Sequence, residues 1–232
     1  ADAVNLLGAV AVTYDAANER ALVASPDADS LSVVDVSDPT GPAVVGVATD
    51  GASLDGACGV AYDATRQRAF VVSGGADTLS VVDVSTAANP AVVGTPLQDA
   101  SALHGACGVA HDDTRELAFV ASGDASSLAV VDTSSTTPTL EGVVVDSTAL
   151  DGAVGVCYDG TRQRVIVVSE RADSLSVVDV STAASPSVQG HVADASSLNG
   201  ATGVACDASS QLAFVASAAG DSLTVVDVRD PA

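Results

Sequence analysis

Valine-rich runs of four to six residues recur along the whole chain, separated by short stretches of Gly, Ser, Asp and Pro. Between positions 56 and 104 four runs stand out: Gly59–Tyr62, Ala69–Ser73, Leu79–Val84 and Ala91–Gly94. The third alternates as a strand covered on both sides would, with Leu79 and Val81 on one face and Val82 and Val84 on the other. Turn chemistry separates the runs, at Asp63-Ala64-Thr65-Arg66, at Gly74-Gly75-Ala76-Asp77 and from Ser85 to Pro90. Gaps of this length connect antiparallel neighbours. No segment sustains a helical apolar period.

The same unit returns along the chain. Its first glycine recurs at Gly8, Gly56, Gly105, Gly152 and Gly200, and an aspartate in its third run recurs at Asp35, Asp83, Asp132, Asp179 and Asp227. Both series step by 48, 49, 47 and 48 residues. Four antiparallel strands per unit, repeated five times, predict an all-β fold, a five-bladed β-propeller. The blades are expected near 8–55, 56–104, 105–151, 152–199 and 200–232, as one domain. The run LSVVDVS stands at 31–37, 79–85 and 175–181, with LAVVDTS at 128–134 and LTVVDVR at 223–229. With AFVAS-like runs one hairpin earlier, these resemble the LVIVD-repeat proteins and the wider YVTN type of surface propeller. The resemblance covers essentially the whole chain. It implies a propeller, often secreted or displayed on a cell surface, usually without known catalysis. It transfers no functional residue to this sequence, and a shared fold does not fix a function.

Register at the ends changes the picture. Asp2 aligns with Asp50, Asp99, Asp146 and Asp194, which lie in the link between one unit and the next. The chain begins at Ala1 rather than Met, after what would be a fourth strand, and Pro231-Ala232 comes before another. The last blade is therefore expected to hold strands near 203–206, 212–217 and 222–228 and to lack a fourth. Its third strand, with Leu223, Val225, Val226 and Val228, is then an open edge that invites strand addition by another chain or another copy. Repeated head to tail, such contacts build a filament.

Thirty acidic residues face eight basic ones, all Arg, for a net charge of −22. Such a surface repels nucleic acid and anionic lipid, which both need cationic partners. It suits a solvated coat, cation binding or life in screening salt. No run approaches the length of a membrane span. No catalytic motif is present: there is no GxSxG, P-loop or strand-to-helix GxGxxG, and His104, His111 and His191 stand in separate contexts. The expected function is a non-enzymatic extracellular or cell-surface module for structure or interaction, its partner a protein or a copy of itself. The alternative is a metal- or ligand-binding propeller, or an enzyme, working at its channel mouth.

That alternative rests on Asp55, His104, Asp151 and Asn199, one per unit just before the first strand, which would gather at one mouth of the channel and hold Ca²⁺ or a transition metal. Leu7 breaks the set. The aspartates Asp29, Asp77, Asp173 and Asp221 are expected to cap their own turns. Cys58 and Cys107 occupy one position in neighbouring blades near the channel, either as two buried thiols or as a blade-to-blade disulfide. The one-position offset between Cys157 and Cys206 predicts that they face opposite ways and stay apart. The Ser134–Thr139 and Ser185-Pro186-Ser187 stretches offer sites for O-linked glycans.

Overall fold

The computed structural model describes residues 4–230. Asp2, Pro231 and Ala232, used above to set the register of the ends, lie outside the described residues. Among the described residues nineteen strands form five antiparallel sheets of four, four, four, four and three strands, each in simple sequential order. Blade one holds β1 (Ala11–Asp15), β2 (Arg20–Ser25), β3 (Ser30–Asp35) and β4 (Ala43–Thr49). Blade two holds β5 (Ala57–Asp63), β6 (Arg68–Ser73), β7 (Thr78–Asp83) and β8 (Ala91–Gln98). Blade three holds β9 (Ala106–Asp112), β10 (Leu117–Ser122), β11 (Ser127–Asp132) and β12 (Thr139–Val145). Blade four holds β13 (Ala153–Asp159), β14 (Arg164–Ser169), β15 (Ser174–Asp179) and β16 (Ser187–Ala193). Blade five holds β17 (Ala201–Asp207), β18 (Leu212–Ser217) and β19 (Ser222–Asp227), and among the described residues β19 is its bare edge. One short 3-10 turn, Pro26–Ala28, interrupts the all-β pattern.

The turns explain why each unit folds alike. The unit's first glycine adopts a left-handed backbone in every copy, with φ between 62 and 73°, which costs glycine nothing. Asp15, Asp63, Asp112, Asp159 and Asp207 close the first hairpin by accepting backbone N–H groups two or three residues on. Asp35 and its equivalents do the same after the third strand. The turn aspartates differ from expectation. Asp29, Asp77 and Asp173 accept the N–H of Gly56, Gly105 and Gly200. They therefore fasten the start of the following blade rather than their own turn.

The core is not one mass but four apolar layers, one between each pair of consecutive blades. Between blades two and three, Phe70, Val72, Leu79 and Val81 meet Leu103, Ala106, Ala118, Val120 and Val131, all essentially buried. Equivalent layers join blades one to two, three to four and four to five. Each blade thus presents a forward face to its successor and a rear face, of opposite strand parity, to its predecessor. The innermost strands β5, β9, β13 and β17 converge so closely that a side chain at Gly59, Gly108 or Gly155 would strike the carbonyl of Cys107, Val154 or Thr202 of the next blade.

Candidate functional site

Residues expected at the channel mouth do not converge. Each supplies its backbone carbonyl to the turn between the second and third strands of its own blade: Gly75 N–H donates to Asp55, Ala125 to His104, Ala172 to Asp151 and Gly220 to Asn199, at 2.9 to 3.1 Å. The charged side chains are spent locally as well. His104 Nδ1 lies 3.1 Å from Asp77, and Arg171 Nε donates to Asp151 at 2.8 Å. Among the described residues no three His, Cys, Asp or Glu side chains come close enough to share a metal ion. The metal set of Asp55, His104, Asp151 and Asn199, and the Ca²⁺ it was to hold, thus have no common centre. A position repeated once per blade is occupied with its blade.

The channel is walled by one residue from each innermost strand or the residue just before it: Val10, Cys58, Cys107, Val154 and Thr202 bound a space of about 460 Å³. Its chemistry is that of two thiols among apolar groups. The Cys58 thiol donates to the Ala106 carbonyl at 3.1 Å. The adjacent Cys107 thiol, with burial behind it, pushes the Cys58 thiol up, while the Cys58 thiol draws the Cys107 thiol down.

Cysteine pairing departs from expectation at Cys157 and Cys206, which were expected to stay apart, while Cys58 and Cys107 take the thiol form of their two alternatives. Cys157 and Cys206 form a disulfide, with Cα atoms 6.1 Å apart, and Cys58 and Cys107 are free. The reason is the stacking of blades. Alternation along a strand does turn the two positions to opposite faces, but Cys157 lies on the forward face of blade four and Cys206 on the rear face of blade five. Those are the two faces that meet. Tyr158, at the Cys206 position in blade four, likewise points back to blade three, where its hydroxyl donates to Asp112 at 2.7 Å and stacks near Phe119.

The expected edge residues divide by face. Leu223 and Val225 are 73% and 54% exposed, whereas Val228 is buried and Val226 packs with it against blade four. Phe214 is also exposed, and no atom of another blade comes within 4 Å of a Cβ built at Gly203. These belong to the forward face of blade five. At the same repeat positions in blades one to four, Leu31, Leu79, Leu128 and Leu175 are at most 2% exposed. The rear face of blade one is open in the same way: Val12 and Tyr14 are 66% and 55% exposed. Leu6 is half-buried, while its counterparts Leu54, Leu103, Leu150 and Leu198 are sealed. No apolar layer joins blades five and one among the described residues. A separate hollow of about 210 Å³ lies beside β16 and the end of β19, lined by Val177, His191, Val192 and Val226, where a fourth strand of blade five would run.

Sheets of this order, stacked about a common channel, define a β-propeller. Residues 21–50 and 167–194 match the model of the LVIVD repeat, so the propeller carries LVIVD repeats in its first and fourth blades. Solved structures share the fold. A functionally unknown protein from Desulfotomaculum acetoxidans DSM 771 aligns with a TM-score of 0.72 at 13% identity, over 97% of this chain and 73% of that one. A candidate 6-phosphogluconolactonase from Bacteroides uniformis ATCC 8492 aligns with a TM-score of 0.77 at 9% identity, over 92% and 64%. A protein from Lactobacillus plantarum aligns with a TM-score of 0.73 at 14% identity, over 94% and 70%. Likeness at such identity is likeness of fold. A search of curated proteins finds no match.

Proposed function

We propose that the protein is a non-enzymatic structural and interaction module of the cell exterior that associates with other copies of itself. The observation that carries this reading is the pair of open blade faces, with Leu223, Val225 and Phe214 on one and Val12 and Tyr14 on the other. Apolar groups gathered in this way mark association surfaces. The exterior location is supported by the Cys157–Cys206 disulfide, because such bonds persist in oxidising compartments. The acidic coat and the resemblance to surface propellers agree with it. The exposed Ser134, Ser135 and Thr137 and the exposed Ser185 and Ser187 remain proposed acceptors for O-linked glycans. An acidic surface opposes self-association through like charge, and salt relieves that repulsion. Association is therefore expected to strengthen as salt rises. Light scattering after size-exclusion chromatography, over a range of concentration and salt, with electron microscopy of the same fractions, tests the reading. Particles that grow with concentration and salt support it; a monodisperse monomer throughout overturns it.

A further inference from the structure

We propose that the copies join head to tail by blade stacking: the forward face of blade five of one copy packs on the rear face of blade one of the next, completing a fifth interface like the four inside the chain. The inference rests on the self-associating reading and names its surface.

The two faces are the two halves of one repeated contact. Inside the chain the forward half always carries a large apolar residue on the second strand and a Leu and a Val on the third. Phe70, Leu79 and Val81 do this in blade two, Phe119, Leu128 and Val130 in blade three, Ile166, Leu175 and Val177 in blade four, all at most 3% exposed. Blade five presents Phe214, Leu223 and Val225 at those positions with nothing against them. The rear half inside the chain carries a Leu in the preceding link, a Val on each of the first two strands and an aromatic ring or cysteine at the end of the first. Blade one presents Leu6, Val12, Val23 and Tyr14 at those positions. Between Val10, Val12 and Val23 lies a hollow of about 230 Å³, placed as a seat for the side chains that project from blade five.

A polar latch completes the match. Tyr158 of blade four donates to Asp112 of blade three at 2.7 Å, and Tyr62 of blade two lies near enough to Asp15 of blade one for that carboxylate, after burial, to push its phenol up to about 12. In both cases a tyrosine on the rear face reaches the hairpin aspartate of the blade before it. Tyr14 is the unused tyrosine of this series. Asp207 is the equivalent hairpin aspartate of blade five, and its Oδ2 takes the Ser210 hydroxyl. A generic apolar partner would have no use for this pair; a second copy supplies both members. Because the two faces are different surfaces, the contact is heterologous and propagates from copy to copy.

The disulfide inside the chain shows how to test it. Cys157 on a forward face bonds Cys206 on a rear face, and the corresponding positions across the proposed interface are Ala205 and Tyr14. The full-length variants Ala205→Cys and Tyr14→Cys are mixed and oxidised with diamide, which takes up the two thiol hydrogens, and resolved on a non-reducing gel. Ala205→Cys mixed with Thr13→Cys, whose side chain turns to the other face, is the control. A linked dimer from the first mixture and little from the control is the expected result, and Leu223→Asp should weaken association about tenfold or more. Copies that associate by light scattering but give no selective link overturn blade stacking and leave self-association standing, by strand addition along β19. No association at any concentration or salt overturns both.

Discussion

Leu79 and Leu223 occupy the same repeat position, yet one is sealed between two blades and the other is 73% exposed. Truncating each to alanine turns that contrast into a measurement. Leu79 is fully buried in the layer formed with Leu103, Ala118 and Val120, so Leu79→Ala loses the transfer free energy of its side chain and leaves a cavity. Together these cost about 3–5 kcal/mol. Leu223→Ala removes a side chain already in water and should cost within about 0.5 kcal/mol. For a chain of this length each kcal/mol moves the melting midpoint by roughly 2–4 °C. Leu79→Ala should therefore melt about 6–20 °C below the parent, and Leu223→Ala within about 2 °C of it. The assay is thermal unfolding followed by circular dichroism, at a concentration where scattering reports a monomer. Equal losses from the two variants would refute the open forward face of blade five. Repeating the melts at high concentration adds a second reading, because association stabilises the folded chain by mass action. The parent should then gain stability that Leu223→Ala does not.

Two further expectations concern groups held between blades. Burial, and then the hydrogen bond to Asp112, push the Tyr158 phenol up to about 12. The folded chain therefore favours the neutral phenol. The resulting stability is present below the ordinary tyrosine range near 10 and is lost as pH rises through about 12. Tyr158→Phe should flatten that alkaline loss in unfolding titrations, and an unchanged profile would refute the link. The second expectation is that alkylation of the native protein without reductant labels Cys58 and Cys107 but not Cys157 or Cys206. Cys107 should react first, because the Cys58 thiol steadies its thiolate; peptide mass spectrometry that finds Cys58 and Cys107 linked would refute the assignment.

The blade count, the strand order and the incomplete fifth blade were legible in the sequence because repetition shows them five times over. What stayed hidden depends on how one unit sits against the next. Strand alternation places Cys157 and Cys206 on opposite faces of their strands, and that is correct. Only the stacking of sheets reveals that opposite faces are the ones in contact. The same geometry divides the edge residues: Leu223 and Val225 face the opening while Val226 and Val228 face blade four. The expected metal set failed for a related reason. Asp55, His104, Asp151 and Asn199 align in register, but register places them one per blade, and each is held to a turn by its carbonyl. Alignment within a repeat identifies equivalent positions, whereas a binding site needs positions brought together from different blades.

Parity also accounts for why openness on blade five implies openness on blade one. Each internal layer is made from one forward face and one rear face, so five blades make four layers and leave one face of each kind. The forward remnant carries Phe214, Leu223 and Val225; the rear remnant carries Leu6, Val12 and Tyr14. In the proposed contact the core-type residues of the two faces would meet, with Tyr14 of one copy opposite Asp207 of the next.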